Sequence, residues 1–355
     1  MINKLVIISL IFISLFYISC SEKVDINAEH KDTPIIYCVL DPSTEYQYVK
    51  VNKSFLGKDR ATDLAQNSSL LFYNNVKVTL KEIKNGNNTR QWVFDKVEIP
   101  KEDGVFATDK NIIYSKKIDF GNVNQDAEYE LLVEINDGEN AKHTVKSKTK
   151  LITGGAFTQP SSANNIASIR NYKGDYIYKF YAGYQTNLYQ TVLEFHYLEV
   201  RGNDTVYKTI TIPSAKSVIV NYRNSELQKS ISIDYFYKTL VSNIPSTDAT
   251  VKRLARMPCP IELHLTSVDE NYYTYSQVTA PSNGIVQHKP TFSNLYCEGG
   301  EDAYGLFASR NNIVQLVKLN KETIDTLERG IYTKNLRFAP RIGEPYYQGH
   351  FSGSK

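Results

Sequence analysis

The sequence has one Trp, two Met, four Cys, 18 Gly and 12 Pro in 355 residues, and each scarcity removes a class of protein. So few Gly and Pro exclude a collagen-like or low-complexity chain. The cysteines, at 20, 38, 259 and 297, contain no Cys-x-x-Cys pair, which argues against zinc-ribbon or thioredoxin-type chemistry. The six histidines, at 30, 143, 196, 264, 288 and 350, are never closer than 24 residues apart, so no helix-borne metal pair exists. G-x-S-x-G, P-loop and dinucleotide glycine patterns are all missing. The expectation is therefore no catalytic residue, no metal and no cofactor. Charge is short of excess too: 41 basic against 38 acidic residues give a net of +3, which predicts no nucleic-acid partner.

Long apolar runs are limited to one. Lys4 precedes an unbroken stretch from Leu5 to Ile18, followed by Ser19-Cys20. A helix of that length rises only about 21 Å, short of the roughly 30 Å hydrocarbon core. It reads as a signal peptide over 1–19 that ends in a lipobox, with Cys20 the lipidated first mature residue; several acyl chains would make that anchoring durable. The alternative is an ordinary signal peptide with an incidental cysteine, since Tyr17 stands where Leu is usual. Residues 20–32 form a polar, lipidated tether. Cys38 lies in the apolar run Pro34-Ile-Ile-Tyr-Cys-Val-Leu40 and reads as a small buried hydrophobe. Cys259 and Cys297 are a candidate disulfide in an oxidising envelope, weighed equally against two reduced thiols.

What is abundant is Tyr (26) and Phe (15), in short runs rich in Val, Ile and Thr, and this predicts a mainly β fold. From 33 to 153, alternation marks strands at 46–52, 76–83, 91–97, 111–120, 128–135 and 141–151, the pattern of an immunoglobulin-like β-sandwich. Tyr129, Leu131, Val133 and Ile135 should face inward, and Asp137-Gly138 should close a type I′ hairpin. The boundary stretch Ile152-Thr-Gly-Gly-Ala-Phe-Thr-Gln-Pro-Ser-Ser-Ala-Asn-Asn165 opens a β-rich second domain over 154–343 that carries two helices. One shows an apolar stripe of Ile233, Phe236, Tyr237, Leu240, Val241 and Ile244; the other opens at the capping-box spacing Ser267-Val-Asp-Glu270. Residues 344–355 are a polar tail.

Three local features offer chemistry. Glu298-Gly-Gly-Glu-Asp302 has the composition of a calcium-binding turn but not its ligand spacing, so a solvated turn is the preferred reading. A His such as His264, inside the strand Ile261-Glu-Leu-His-Leu-Thr266, is expected to be satisfied structurally. Tyr346 and Tyr347 follow Pro345 outside any periodic element, which makes them candidate binding residues.

The lipobox, Thr33-Pro-Ile-Ile-Tyr-Cys-Val-Leu-Asp-Pro42, Leu263-His-Leu-Thr-Ser-Val-Asp-Glu-Asn-Tyr-Tyr-Thr-Tyr275 and Ser293-Asn-Leu-Tyr-Cys-Glu-Gly-Gly-Glu-Asp-Ala-Tyr-Gly-Leu-Phe-Ala308 together resemble a family of Bacteroidota lipoproteins known only as a domain of unknown function. Genes of that family often lie beside those for TonB-dependent receptors. The resemblance keeps Gly305 and Phe307 and implies an outer-membrane protein, periplasmic or surface-exposed, held by lipid at Cys20. It also implies an association with an outer-membrane β-barrel transporter or secretion component, and it supplies no catalytic residue. The leading expectation is a non-catalytic protein that binds a ligand or partner through its second domain. An envelope enzyme such as a glycan hydrolase, or a structural or adhesive surface protein, are the alternatives.

Overall fold

The computed structural model describes residues 31–57, 59–121, 127–138, 141–214, 217–218, 225–246, 250–255, 259–280 and 291–340. The expected signal peptide, Cys20, Tyr346 and Tyr347 lie outside these residues. The fold is mainly β. In chain order the first strands are β1 (Pro34–Leu40), β2 (Tyr46–Lys53), β3 (Val76–Lys84), β4 (Asn87–Val93), β5 (Asp95–Glu98), β6 (Ile112–Lys117), β7 (Glu128–Asn136) and β8 (Lys142–Thr149). Then come β9 (Ala156–Gln159), β10 (Ile166–Ala167), β11 (Asp175–Tyr181), β12 (Leu188–Arg201), β13 (Asp204–Pro213), β14 (Ser217–Val218) and β15 (Leu227–Ser232). The last are β16 (Lys252–Ala255), β17 (Ile261–Val268), β18 (Tyr296–Cys297) and β19 (Tyr304–Leu319).

An 11-stranded sheet runs β13-β12-β17-β19-β1-β2-β6-β5, with β10, β14 and β16 attached at its sides. A 5-stranded sheet, β18-β8-β7-β3-β4, shares one core with the β1, β2 and β6 part of the large sheet. That core takes Ile36, Val49 and Tyr114 from one layer and Val78, Leu131 and Val133 from the other. Alternation explains it: Tyr129, Leu131, Val133 and Ile135 are at most 2 % exposed, as the sequence predicts. A second core unites β11, β12, β17 and the far half of β19 with the Ile233–Asn243 helix.

The two halves expected to be separate are joined by a single strand. The sequence suggests two strands at 305–309 and 313–319, but β19 is continuous over 16 residues. Phe307 near its start packs into the first core and Val317 near its end into the second. β1 lies parallel against β19, with Ile36 opposite Gly305. Gly305 has φ 130°, and a Cβ there would sit 1.8 Å from the Ile36 carbonyl oxygen, so only glycine lets the two backbones approach. Asn294 then clasps the Phe307 backbone, accepting from its N–H at 2.9 Å and donating to its C=O at 2.7 Å.

Local signals hold in part. The type I′ turn is at Asn85-Gly86 (φ 52° and 78°), between the paired residues Lys84 and Asn87. At Asp137-Gly138 the β7–β8 connection is longer, and only Gly138 among its described residues has positive φ. The Asp137 carboxylate is used instead to accept from the Asn74 and Asn75 N–H groups, each at 2.7 Å. The Ile233–Asn243 helix buries Ile233, Phe236, Tyr237 and Leu240 as expected, whereas Val241 is exposed. The next helix is Glu270–Val278, capped by Asp269 rather than Ser267, because Ser267 is still inside β17. A third helix of this part, Lys321–Arg329, has no counterpart in the sequence reading; Asn320 caps it and Thr323 and Leu327 anchor it. Among the described residues, no helix is long and apolar enough to cross a membrane.

Candidate binding face and metal-ligating clusters

The alternation that buries Val49 and Val51 turns Tyr46, Tyr48, Lys50 and Asn52 outward on β2, and Ile35 and Tyr37 outward beside them on β1. The three tyrosines stay open to solvent, Tyr37 at 40 %, Tyr46 at 47 % and Tyr48 at 53 %. Tyr275, from the Glu270–Val278 helix, meets Tyr37 edge-on with ring centroids 6.1 Å apart. Next to this row is a groove of about 530 Å³ lined by Ile35, Tyr37, Lys50, Phe55, Phe72 and Phe106, among others.

Ammonium groups flank its aromatic wall. Lys50 Nζ lies over the Phe72 ring at 4.6 Å and donates to Asn111 Oδ1 and to the Ile112 carbonyl at 2.8 Å. Lys101 Nζ lies over Phe106 at 5.2 Å. Burial, and secondarily the charge of Lys101, lowers the Lys50 pKa to about 8. The Tyr37 hydroxyl is pushed up to about 12, first by burial and then by its hydrogen bond with Tyr275, so it stays neutral. An apolar slot with two cations suits a ligand that is apolar along its length and anionic at one end.

Two clusters hold metal-ligating side chains. In the first, His143 Nδ1 bonds Glu301 Oε2 at 2.7 Å, and its Nε2 faces Asp32 Oδ2 at 3.7 Å. Cys297 lies close by, and Tyr73 bonds the other Asp32 oxygen at 2.7 Å. Burial raises the Cys297 pKa, with the charge of Glu301 adding to it.

The second cluster is built on two neighbouring strands. Glu194 and His196 of β12, and Glu262 and His264 of β17, share one sheet face because each pair is two residues apart. Antiparallel register sets Glu194 directly opposite Glu262. His264 Nε2 lies 3.5 Å from Glu194 and 3.6 Å from Glu262; His196 Nε2 lies 3.8 Å and 3.5 Å from the same carboxylates. Thr209 Oγ1 meets His196 Nδ1 at 2.9 Å, and the Tyr207 ring stacks on the imidazole at 5.4 Å.

The structure redistributes the residues singled out from sequence. Cys259 and Cys297 are free thiols, which corrects the candidate disulfide. Cys297 belongs to β18 in the first core, while Cys259 precedes β17 at the end that pairs with Val317. Most of β19 separates them, on the order of 30 Å or more at 3.3 Å per residue. Glu298, Glu301 and Asp302 do not converge: they pair separately with Lys146, His143 and Lys31. His264, expected to be satisfied structurally, instead has its Nε2 without a hydrogen bond and forms a group of three with Glu194 and Glu262. The missed signal was the repeated Glu-x-His, at 194–196 and 262–264, each inside an alternating strand.

No family model matches the chain, nor does any curated protein sequence. Among solved structures, the C-terminal globular domain of an oligosaccharyltransferase from Pyrococcus abyssi aligns at 12 % identity with a TM-score of 0.15. The alignment covers 80 % of this chain and 48 % of that one, so the chain spans about half its length. At that score the likeness carries no argument about fold or function.

Proposed function

We propose that this protein is a non-catalytic, lipid-anchored component of the outer membrane that binds a small anionic amphiphile, such as a long-chain carboxylate, as an accessory to a β-barrel transporter. The observation that carries this reading is the groove between Phe55, Phe72 and Phe106 with Lys50 and Lys101 on its walls. Its volume lies within the roughly 300–1,000 Å³ of small-molecule sites. The apolar length of the ligand would displace water from the aromatic wall, and its charged end would offset the cost of holding Lys50 half-buried. Tyr37, Tyr46, Tyr48 and Tyr275 border the groove as amphipathic surface suited to a protein partner.

Position supports the same reading. Asp32, the last residue of the expected tether, is held by Tyr73, and β1 begins two residues later at Pro34, followed by the groove residue Ile35. A lipid at Cys20 would keep the groove within a short tether of the membrane. Phe106 is 49 % exposed, so Phe106→Glu places a like charge at the groove with little effect on the core. That variant should bind a fluorescent long-chain carboxylate at least about tenfold more weakly, a like charge in a half-dry site costing on the order of 1.4 kcal/mol or more. Unchanged affinity would refute the assignment of the groove.

A further inference from the structure

We infer that Glu194, Glu262 and His264 form a binding site for a first-row divalent cation, with zinc the ion that best suits an imidazole and two carboxylates. Distances decide between this and a set of ordinary ion pairs. Tetrahedral zinc, with bonds of 2.0–2.2 Å, holds its donors about 3.4 Å apart. His264 Nε2 lies 3.5 Å from Glu194 and 3.6 Å from Glu262, close to that value and longer than a hydrogen bond. The same molecule shows what direct pairing looks like, at 2.7 Å between His143 and Glu301.

Charge and orientation agree. Two carboxylates directly opposite each other on adjacent strands repel, and a divalent ion bound between them would cancel two negative charges. His264 Nε2 is closed off from solvent and makes no hydrogen bond, though it is turned towards both carboxylates. Beside this group, His196 Nδ1 meets Thr209 Oγ1 at 2.9 Å, and its Nε2 lies 3.8 Å and 3.5 Å from the same two carboxylates. The side chains of Glu194, Glu262 and His264 are 19–28 % exposed. The site lies on β12 and β17, apart from the β1–β2 groove, and does not depend on what the groove binds.

The test uses the full chain, purified in detergent, stripped with a chelator and titrated with Zn2+ by equilibrium dialysis, with Co2+ as a spectroscopic probe. One equivalent should bind, and the visible bands of four-coordinate Co2+ should appear. His264→Gln and Glu194→Gln should each weaken zinc binding at least about tenfold and remove those bands, whereas His143→Gln should leave both unchanged. Zinc should also raise the thermal midpoint of the wild type by mass action and not that of the variants. Circular dichroism checks folding, and Glu262→Gln replaces any variant that does not fold. No stoichiometric uptake, uptake that survives in the folded His264→Gln and Glu194→Gln proteins, or loss on His143→Gln instead would each overturn the assignment.

Discussion

Two buried carboxylates show how residue environment sets acid–base behaviour in opposite directions. Glu82 accepts from Arg90, chiefly, and from Thr89 and Tyr129, which holds its pKa down at about 2. Its contribution to stability is present above the ordinary carboxylate range and is lost as pH falls from about 4.5 towards 2. Asp269 is different. It caps the Glu270–Val278 helix and accepts from Thr149 Oγ1 at 2.6 Å and from the Tyr272 and Ser309 N–H groups at 2.9 Å. Burial outweighs these bonds and raises its pKa from 3.8 to about 6. The folded state therefore binds this proton more tightly than the unfolded chain, so the stabilisation is complete below about pH 4 and fades as pH rises through 6. About two pKa units correspond to roughly 3 kcal/mol. Denaturant unfolding of wild type and Asp269→Asn at several pH values should show the wild-type advantage shrinking by that order between pH 4 and 7. A difference that is flat with pH would contradict it.

Gly305 carries a sharper prediction at the same scale. Replacing it with Ala forces a Cβ against the Ile36 carbonyl at a φ of 130°. The cost is expected to be about 3 kcal/mol or more, read as a lowered denaturant midpoint. Stability within 1 kcal/mol of wild type would mean that β1 does not pair with β19 as described.

At the scale of elements, legibility followed how local the cause was. The inward row of β7 was readable because period-two alternation is fixed by the strand backbone itself. The helix at 270–278 was readable but its start was not: Ser267 has the right spacing, yet β17 needs it for pairing with Tyr189 and Asn311, and Asp269 is the first residue free to cap. The Lys321–Arg329 helix was obscured because its buried face uses Thr323 and Glu328 alongside Leu327, so its apolar stripe is thin. The Glu-x-His pairs could be seen individually, but their meeting depends on β12 pairing with β17 across more than sixty residues of chain. No local pattern encodes that partner choice. The groove was invisible for a similar reason, since Ile35 of β1 and Phe72 and Phe106, from connections outside the strands, are brought together only by the tertiary fold. Cysteine placement is checkable at this scale too. Alkylation of the denatured, unreduced protein should label Cys38, Cys259 and Cys297; protection of the last two would restore the disulfide.

At the scale of the whole molecule, β19 contributes to both hydrophobic cores, and the two candidate sites sit on different parts of the large sheet. The proposed lipid anchor, the groove and the tyrosine row lie towards the N-terminal end of the chain, and the Glu-His cluster lies on the second half. Anchoring has its own test: Cys20→Ala should leave the membrane fraction and stop taking up labelled fatty acid, and continued attachment would remove the lipobox reading. Binding in the groove is the central claim, and Lys50 offers a direct probe of it. With a pKa of about 8, it is mostly charged at pH 7 and mostly neutral at pH 9. The decisive measurement is equilibrium binding of a fluorescent long-chain carboxylate to the chain without residues 1–20, at both pH values, for wild type and Lys50→Gln. The expected result is one saturable site whose affinity falls up to about tenfold from pH 7 to 9, in step with the charged fraction of Lys50, and that is weaker and indifferent to this pH change in Lys50→Gln. No saturable binding, or the same pH profile in both proteins, would contradict it.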